Sequence, residues 1–408
     1  MPLPLPVRAL NAAGGALRAV GVPVVRLDQA SLKARARRAT GLEDFGDPWF
    51  EQPLAVLLEA LEREAALHTL GRVIARTDLT RLLENRLRMT DVAARHPEIA
   101  AAPVARPMVV VGLPRTGTSI LHELLAQDPA NRVPMTWEVM HPYPPPERHS
   151  YHSDPRIAAL DKHLSGVDRL LPEFKKMHPM GAELPQECVA LTAHDFASMI
   201  FSTTHRVPSY QAWLDRADLR PVYASHRRQL QYLQWRCPAE HWVLKSPGHL
   251  WALDALLAIY PDACVVQTHR DPLKVVASLA SLVATLRLMG SDDIDRAAIG
   301  REWTAYLAEG LNRAAAVRDR WPAAAPPPFD MQFGEFLRDE IGMMRRIYAH
   351  FGRDLSDLAE TRMRRFLAHN PKDKHGAHRY TLADAGLDES AERARYAAYQ
   401  SRFGVPSE

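Results

Sequence analysis

The spacing of apolar positions along this chain changes period once. In "PLAVLLEALEREAALHTL" (53–70), Leu54, Leu57, Leu58, Leu61 and Ala65 recur at helical spacing, with Glu and Arg between them. Pro53 suits an early helical position. A second helix is predicted from Asp78, a plausible N-cap, with Leu79, Leu82, Leu83 and Leu87 on one face. Residues 27–100 therefore read as helical, and "HPEIAAAPVARP" breaks the pattern. "MVVVG" then forms a short β-branched run, as in a strand buried on both faces, and "SILHELLAQ" follows as a helix. Further strands are predicted at "HWVLK" (241–245), "CVVQTH" (264–269) and "FDMQF" (329–333). Helices are predicted between them at "GHLWALDALLAIY", "PLKVVASLASLVATL" and from Arg301 to Arg320. Strands alternating with helices imply a parallel sheet with helical crossovers.

Residues 141–187 are rich in Pro, His and charge and too long for an ordinary connector, so a lid or functional excursion is expected. "WPAAAPPPF" (321–329) is a short link into the last strand, and no internal repeat is visible. The expected fold is α/β: a P-loop NTPase-like parallel sheet flanked by helices, with an N-terminal helical extension. Its expected parts are a helical region over 1–105, a core over 106–350 with a helical or lid insertion at about 141–235, and a C-terminal closing segment and helix over 351–408. These are read as one integrated domain.

Composition narrows the class without naming it. Of 408 residues, 47% are hydrophobic and 24% charged, as in an ordinary soluble enzyme. The 51 basic residues nearly balance the 48 acidic ones, and no dense basic block points to nucleic acid. Three scattered cysteines, Cys188, Cys237 and Cys264, read as free thiols. The first 25 residues lack the order of a signal peptide, and no run of 18 apolar residues occurs. A cytoplasmic location is expected. An amphipathic segment near residues 7–20 is expected to pack on the core; peripheral membrane contact and a homodimer stay open.

The chemistry starts at "VVVGLPRTGTSIL" (109–121), which keeps the G-x-x-x-x-G spacing of an NTP-binding loop but has Thr118 in the lysine slot. A glycine turn between a strand and a helix aims backbone N–H groups and the positive end of the helix dipole at an anion. Thr116, Gly117, Thr118 and Ser119 supply that turn and its hydroxyl donors, and Arg115 supplies the charge. Moving the charge upstream implies phosphate chemistry different from that of an NTPase, whose lysine spans the β- and γ-phosphates.

"GLPRTGTSI" resembles the 5′-phosphosulfate loop of the sulfotransferase superfamily. That family's donor, 3′-phosphoadenosine-5′-phosphosulfate (PAPS), has no γ-phosphate, and transfer needs no metal. "HRDPLKVVAS" resembles the family's 3′-phosphate motif, an arginine at a strand end and a serine eight residues later: here Arg270 and Ser278. "HWVLKSPGH" resembles its strand with a lysine at the end, which implies that Lys245 touches the transferring sulfonate. "NPKDKHGAHRYTLADAGLD" (370–388) is similar to a bacterial form of the nucleotide-closing loop, and implies Lys374, His378, Arg379 and Tyr380 as donor-binding residues. The resemblance extends over most of the chain, to bacterial members of similar length.

The resemblance implies in-line transfer of a sulfonate to a hydroxyl or amine of a small acceptor, with Arg115, Glu138 and Lys245 as catalytic residues. The family's histidine base does not carry over, because Pro247 occupies its position. The family's tyrosine-directed branch uses a glutamate some twenty residues beyond the loop arginine, and that resemblance implies Glu138 in the role, with His249 and His141 as alternatives. Trp137, Tyr143, Tyr151, Phe174 and Trp213 in the presumed insertion suggest an apolar or aromatic acceptor. Two other readings stay open: a P-loop-type nucleotide kinase or NTPase, and a non-catalytic protein that binds adenosine 3′,5′-bisphosphate.

Overall fold

The computed structural model describes residues 5–22, 24–170, 180–370 and 381–408, with side chains omitted over 167–170. Five parallel strands form one sheet in the order β2-β3-β1-β4-β5. They are β1 (Met108–Gly112), β2 (Asn131–Arg132), β3 (His241–Lys245), β4 (Cys264–His269) and β5 (Phe329–Gln332). The central strand β1 pairs with β3 through Met108↔Val243 and with β4 through Met108↔Cys264. All residues of β1 and β4 are buried, as their unbroken apolar runs require for a sheet covered on both faces. Alternate residues feed opposite layers. Val109, Val111, Leu244 and Val265 pack under the helices Arg220–Gln234, Pro272–Arg287 and Arg296–Arg318. Met108, Val110, Val243 and Val266 pack against Thr118–Leu125, Glu340–His350 and Asp357–His369.

The N-terminal helices form a third apolar cluster with residues 193–222. Two boundaries differ from the sequence expectation. The helix from Glu51 ends at Arg63, and Ala66 turns the chain with φ +46°. The next helix, Thr69–Arg95, begins nine residues before Asp78. Its N-cap is His68, whose Nδ1 accepts from the Gly71 N–H at 2.9 Å, so a histidine fills the role assigned to the aspartate. Arg86 of this helix ties the layer to the core: it pairs with buried Asp195 at 2.6 Å and donates to the Phe45 and Asp47 carbonyls. The first helix, Leu5–Ala19, lays Gly14 against Thr69 and accepts the Leu70 N–H on Asn11 at 2.9 Å. Leu5, Leu10 and Leu17 stay exposed.

Within the insertion, Pro155–Leu170 is a helix whose Leu160 and Leu164 pack with Trp137 and Ala182. "GHLWALDALLAIY" is a 3-10 turn, Pro247–Leu250, followed by the helix Leu253–Ile259. β5 ends at Gln332, one residue early, because Phe333 begins a helical turn. β2 carries no apolar run and is an edge strand held by β3 alone. The C-terminal helix Glu389–Phe403 docks on Arg296–Arg318, where Glu392 and Tyr396 share the Thr304 hydroxyl. The remaining tail runs back across the carboxyl end of β4, where the Glu408 N–H reaches Asp271. Among the described residues, no helix is long and apolar enough to cross a membrane.

Candidate active site

The loop after β1 is built for a backbone cradle. Gly117 has φ +88°, and a Cβ there would lie 2.9 Å from the Phe333 ring. Gly112 passes so close to β4 that a Cβ would sit 2.1 Å from Thr268 Oγ1. Arg115 holds a left-handed conformation, φ +67°, which costs a non-glycine residue energy and is typical of a functional turn. The helix Thr118–Leu125 starts directly behind the loop, so its dipole points into the cradle. Ser119 is exposed and Thr118 buried. The Thr116 side chain is turned inward: its Oγ1 donates to the Leu113 carbonyl at 2.6 Å and meets Thr268 Oγ1 at 2.6 Å. It braces the loop from below, which leaves only its backbone to face a ligand.

Arg270 stands at the end of β4 and reaches across to this loop. Its Nη1 donates to the Arg115 carbonyl at 3.0 Å, and its guanidinium lies over the Phe333 ring at 4.4 Å from the centroid. The rest of its fork grips the Glu408 carboxylate at 2.9 Å. Arg270 therefore presents a planar donor pair to an acid in the geometry it uses for carboxylates and phosphates alike. Next to it, Asp271 caps the helix Pro272–Arg287 through the Leu273 N–H and binds Arg393 at 2.7 Å. Ser278 sits two turns into that helix, buried, and makes no hydrogen bond with Arg270.

Lys245 ends β3, beside β1, and is buried. Its ammonium donates to Ser119 Oγ at 3.3 Å and pairs with Glu187, whose side chain is partly exposed. Sequence reasoning missed Glu187. It lies in "LPQECVAL", which carries no motif, and only the fold brings it 58 positions along the chain to the lysine. His122 lies beneath this pair. Burial first, and the Lys245 charge second, push its imidazole down to about 3, so it stays neutral. Cys188, beside Glu187, is likewise quiet: burial pushes its thiol up to about 12.

Glu138 sits in a buried ion pair with Arg132. It is fully buried on the short helix Thr136–Met140 and both carboxyl oxygens are engaged. Oε2 takes Arg132 at 2.7 Å; Oε1 accepts the Met135 N–H and the Tyr151 hydroxyl, each at 3.0 Å. Burial raises its carboxyl above the usual range against the pull of Arg132. This acid closes a helix start and anchors the insertion, and in this geometry it presents no oxygen to an acceptor. His249 is buried as well. Its Nδ1 meets the Tyr223 hydroxyl at 2.7 Å, and burial pushes the ring down to about 3. His141 is held low, to about 4, by burial and nearby arginines, and lies outside the Lys245 cluster. The expected donor-binding residues Lys374, His378, Arg379 and Tyr380 lie outside the described residues. Of the aromatics proposed for the acceptor, Trp137 and Tyr151 pack on each other and Trp213 on Trp49; Phe174 lies outside the described residues.

A parallel sheet with a phosphate loop after its central strand, and a lysine and an arginine at neighbouring strand ends, defines a group-transfer enzyme of the P-loop-like class. Residues 107–357 match the sulfotransferase family. The crystal structure of sulfotransferase STF1 from Mycobacterium tuberculosis H37Rv is 35% identical, covers 91% of this chain and 98% of its own, and superposes with a TM-score of 0.81. That of STF9 from Mycobacterium avium is 30% identical over 94% of this chain and 98% of its own, with a TM-score of 0.87. The omega-hydroxy-beta-dihydromenaquinone-9 sulfotransferase Stf3 of Mycobacterium bovis is 24% identical over 69% of this chain and 71% of its own length. The chain belongs to the sulfotransferase family and is a sulfotransferase enzyme.

Proposed function

We propose that this enzyme moves a sulfonate group from PAPS to a hydroxyl of a small-molecule acceptor. The observation that carries the reading is the meeting of Arg270 with the Arg115 carbonyl, which joins the two phosphate motifs into one surface. Arg270 binds the 3′-phosphate in the position now taken by the Glu408 carboxylate, with Ser278 behind it. The 112–119 loop holds the 5′-phosphate on backbone N–H groups. Lys245 and Arg115 face the sulfonate.

The acceptor oxygen forms a bond to sulfur while the bond from sulfur to the bridging 5′-phosphate oxygen breaks, and the electron pair leaves on that oxygen. Lys245, Arg115 and the loop donors stabilise the charge that develops there. As Lys245 turns to the sulfonate, Glu187 is released to take the acceptor proton, in place of Glu138.

Two measurements test this. Adenosine 3′,5′-bisphosphate without Mg²⁺ is expected to raise the melting temperature, whereas Mg-ATP is not; the reverse result would favour a kinase or NTPase. Lys245→Ala and Glu187→Gln are each expected to lower turnover by on the order of 10²-fold while bisphosphate affinity holds. Wild-type turnover in Lys245→Ala would remove the lysine from the reaction.

A further inference from the structure

The first helix, Leu5–Ala19, is attached to the protein by its polar side. Asn11, Gly14 and Arg18 recur at helical spacing on one stripe. Asn11 accepts the Leu70 N–H at 2.9 Å, Gly14 lies against Thr69, and Arg18 Nη1 donates to the Thr69 hydroxyl at 3.2 Å. The opposite face carries Leu5, Ala9, Ala13, Ala16 and Leu17, all exposed, and Arg8 is the only polar residue among the exposed positions of the helix. A surface helix ordinarily does the reverse and buries its apolar stripe.

The exposure runs on past the helix. Leu5 and Val20 are each 76% exposed, and Leu10, Leu17, Val22 and Val24 are exposed as well. Ten large apolar side chains are exposed among the described residues, and these six of them fall between Leu5 and Val24. Single apolar residues scattered over a protein surface are normal, whereas a concentration of this kind marks a docking face. We propose that the helix Leu5–Ala19 docks the enzyme on an anionic lipid surface. The docking face is independent of the sulfonate-transfer reading above.

Charge and area name the occupant. Residues 5–27 hold Arg8, Arg18 and Arg26 and neither Asp nor Glu, a balance that complements anionic headgroups. The 15 residues of the helix extend about 22 Å, and a strip about 10 Å wide offers roughly 200 Å². A stable protein–protein interface takes about 800 Å² from each partner, so a second copy packed on this helix falls short. A lipid surface sets no such threshold: the apolar face sinks about 5–10 Å into the headgroup boundary, with basic residues beside it. The helix is too short to cross a bilayer and lies along it.

The test is flotation of the full chain with vesicles. Vesicles of mixed phosphatidylglycerol and phosphatidylcholine are expected to carry the protein upward, those of phosphatidylcholine alone to carry much less, and binding to the mixed vesicles to weaken as salt is raised. The double variant Leu10→Glu with Leu17→Glu places two charges on the outward face, where neither leucine is buried. It should lower vesicle binding by on the order of tenfold or more and leave the melting temperature nearly unchanged. Leu358→Glu, at an exposed leucine far along the chain, should float as the wild type does. Protein that stays down with the mixed vesicles, floats equally on neutral ones, or floats unchanged in the double variant would overturn the proposal. A dimer in sedimentation that the double variant dissolves, with no flotation of the wild type, would overturn it in favour of a second copy.

Discussion

Arg270 donates to the carbonyl oxygen of Arg115 at 3.0 Å, across 155 positions of sequence. One arginine thus fixes the backbone of the loop that holds another. The bond explains how Arg115 is held in a left-handed conformation.

Arg270→Ala is expected to weaken adenosine 3′,5′-bisphosphate binding by roughly ten- to hundredfold, the worth of a charge-assisted contact. Titration calorimetry reads it directly. Unchanged affinity would mean that the 3′-phosphate lies elsewhere.

Gly117→Ala forces a side chain into a left-handed turn and against Phe333. The backbone cost alone is about 1–2 kcal/mol. Bisphosphate affinity should fall at least tenfold, with only a small change in the melting temperature of the unliganded protein. Wild-type affinity would show that the loop does not carry the phosphate.

Glu138→Gln separates a structural acid from a catalytic one. It leaves Arg132 buried without its ion pair, a change that costs about 3–5 kcal/mol. Chemical denaturation should show a large loss of stability, and turnover per folded molecule should change less than tenfold. A tenfold fall in that corrected turnover would restore Glu138 as the base.

Acid should loosen the β4–β5 edge. Asp330 on β5 bonds Arg318 and His269, each at 2.8 Å; these contacts outweigh burial and hold its carboxyl well below the usual range. A depressed carboxyl stabilises the fold above its unfolded pKa and loses that contribution as pH falls below it. Burial also lowers His269, which adds a loss with the same sign below its ordinary value. The melting temperature should therefore fall between pH 4 and pH 2, less steeply in Asp330→Asn. Equal slopes would contradict the linkage.

The three inner strands were legible because each is an apolar run closed by a glycine or a charged residue. β2 was not, since two polar residues leave no period to read. The start of Thr69–Arg95 was hidden because Asp78 looks like a cap, while His68, a rare one, does the work. The loop, Lys245 and Arg270 were visible as motifs, and the fold brings the loop to each of them. Glu138 was legible as a candidate base only through the resemblance, and its burial and its bonds to Arg132 and Tyr151 arise from packing that no motif announces. Glu187 shows the converse, a carboxylate with no motif that packing brings to Lys245.

The grip of Arg270 on Glu408 has a consequence for how a ligand arrives. This arginine is never bare; it comes with its own counter-ion. An anion that reaches it performs an ion exchange and releases a carboxylate that remains tethered nearby. Measured affinity is then a difference between two anions.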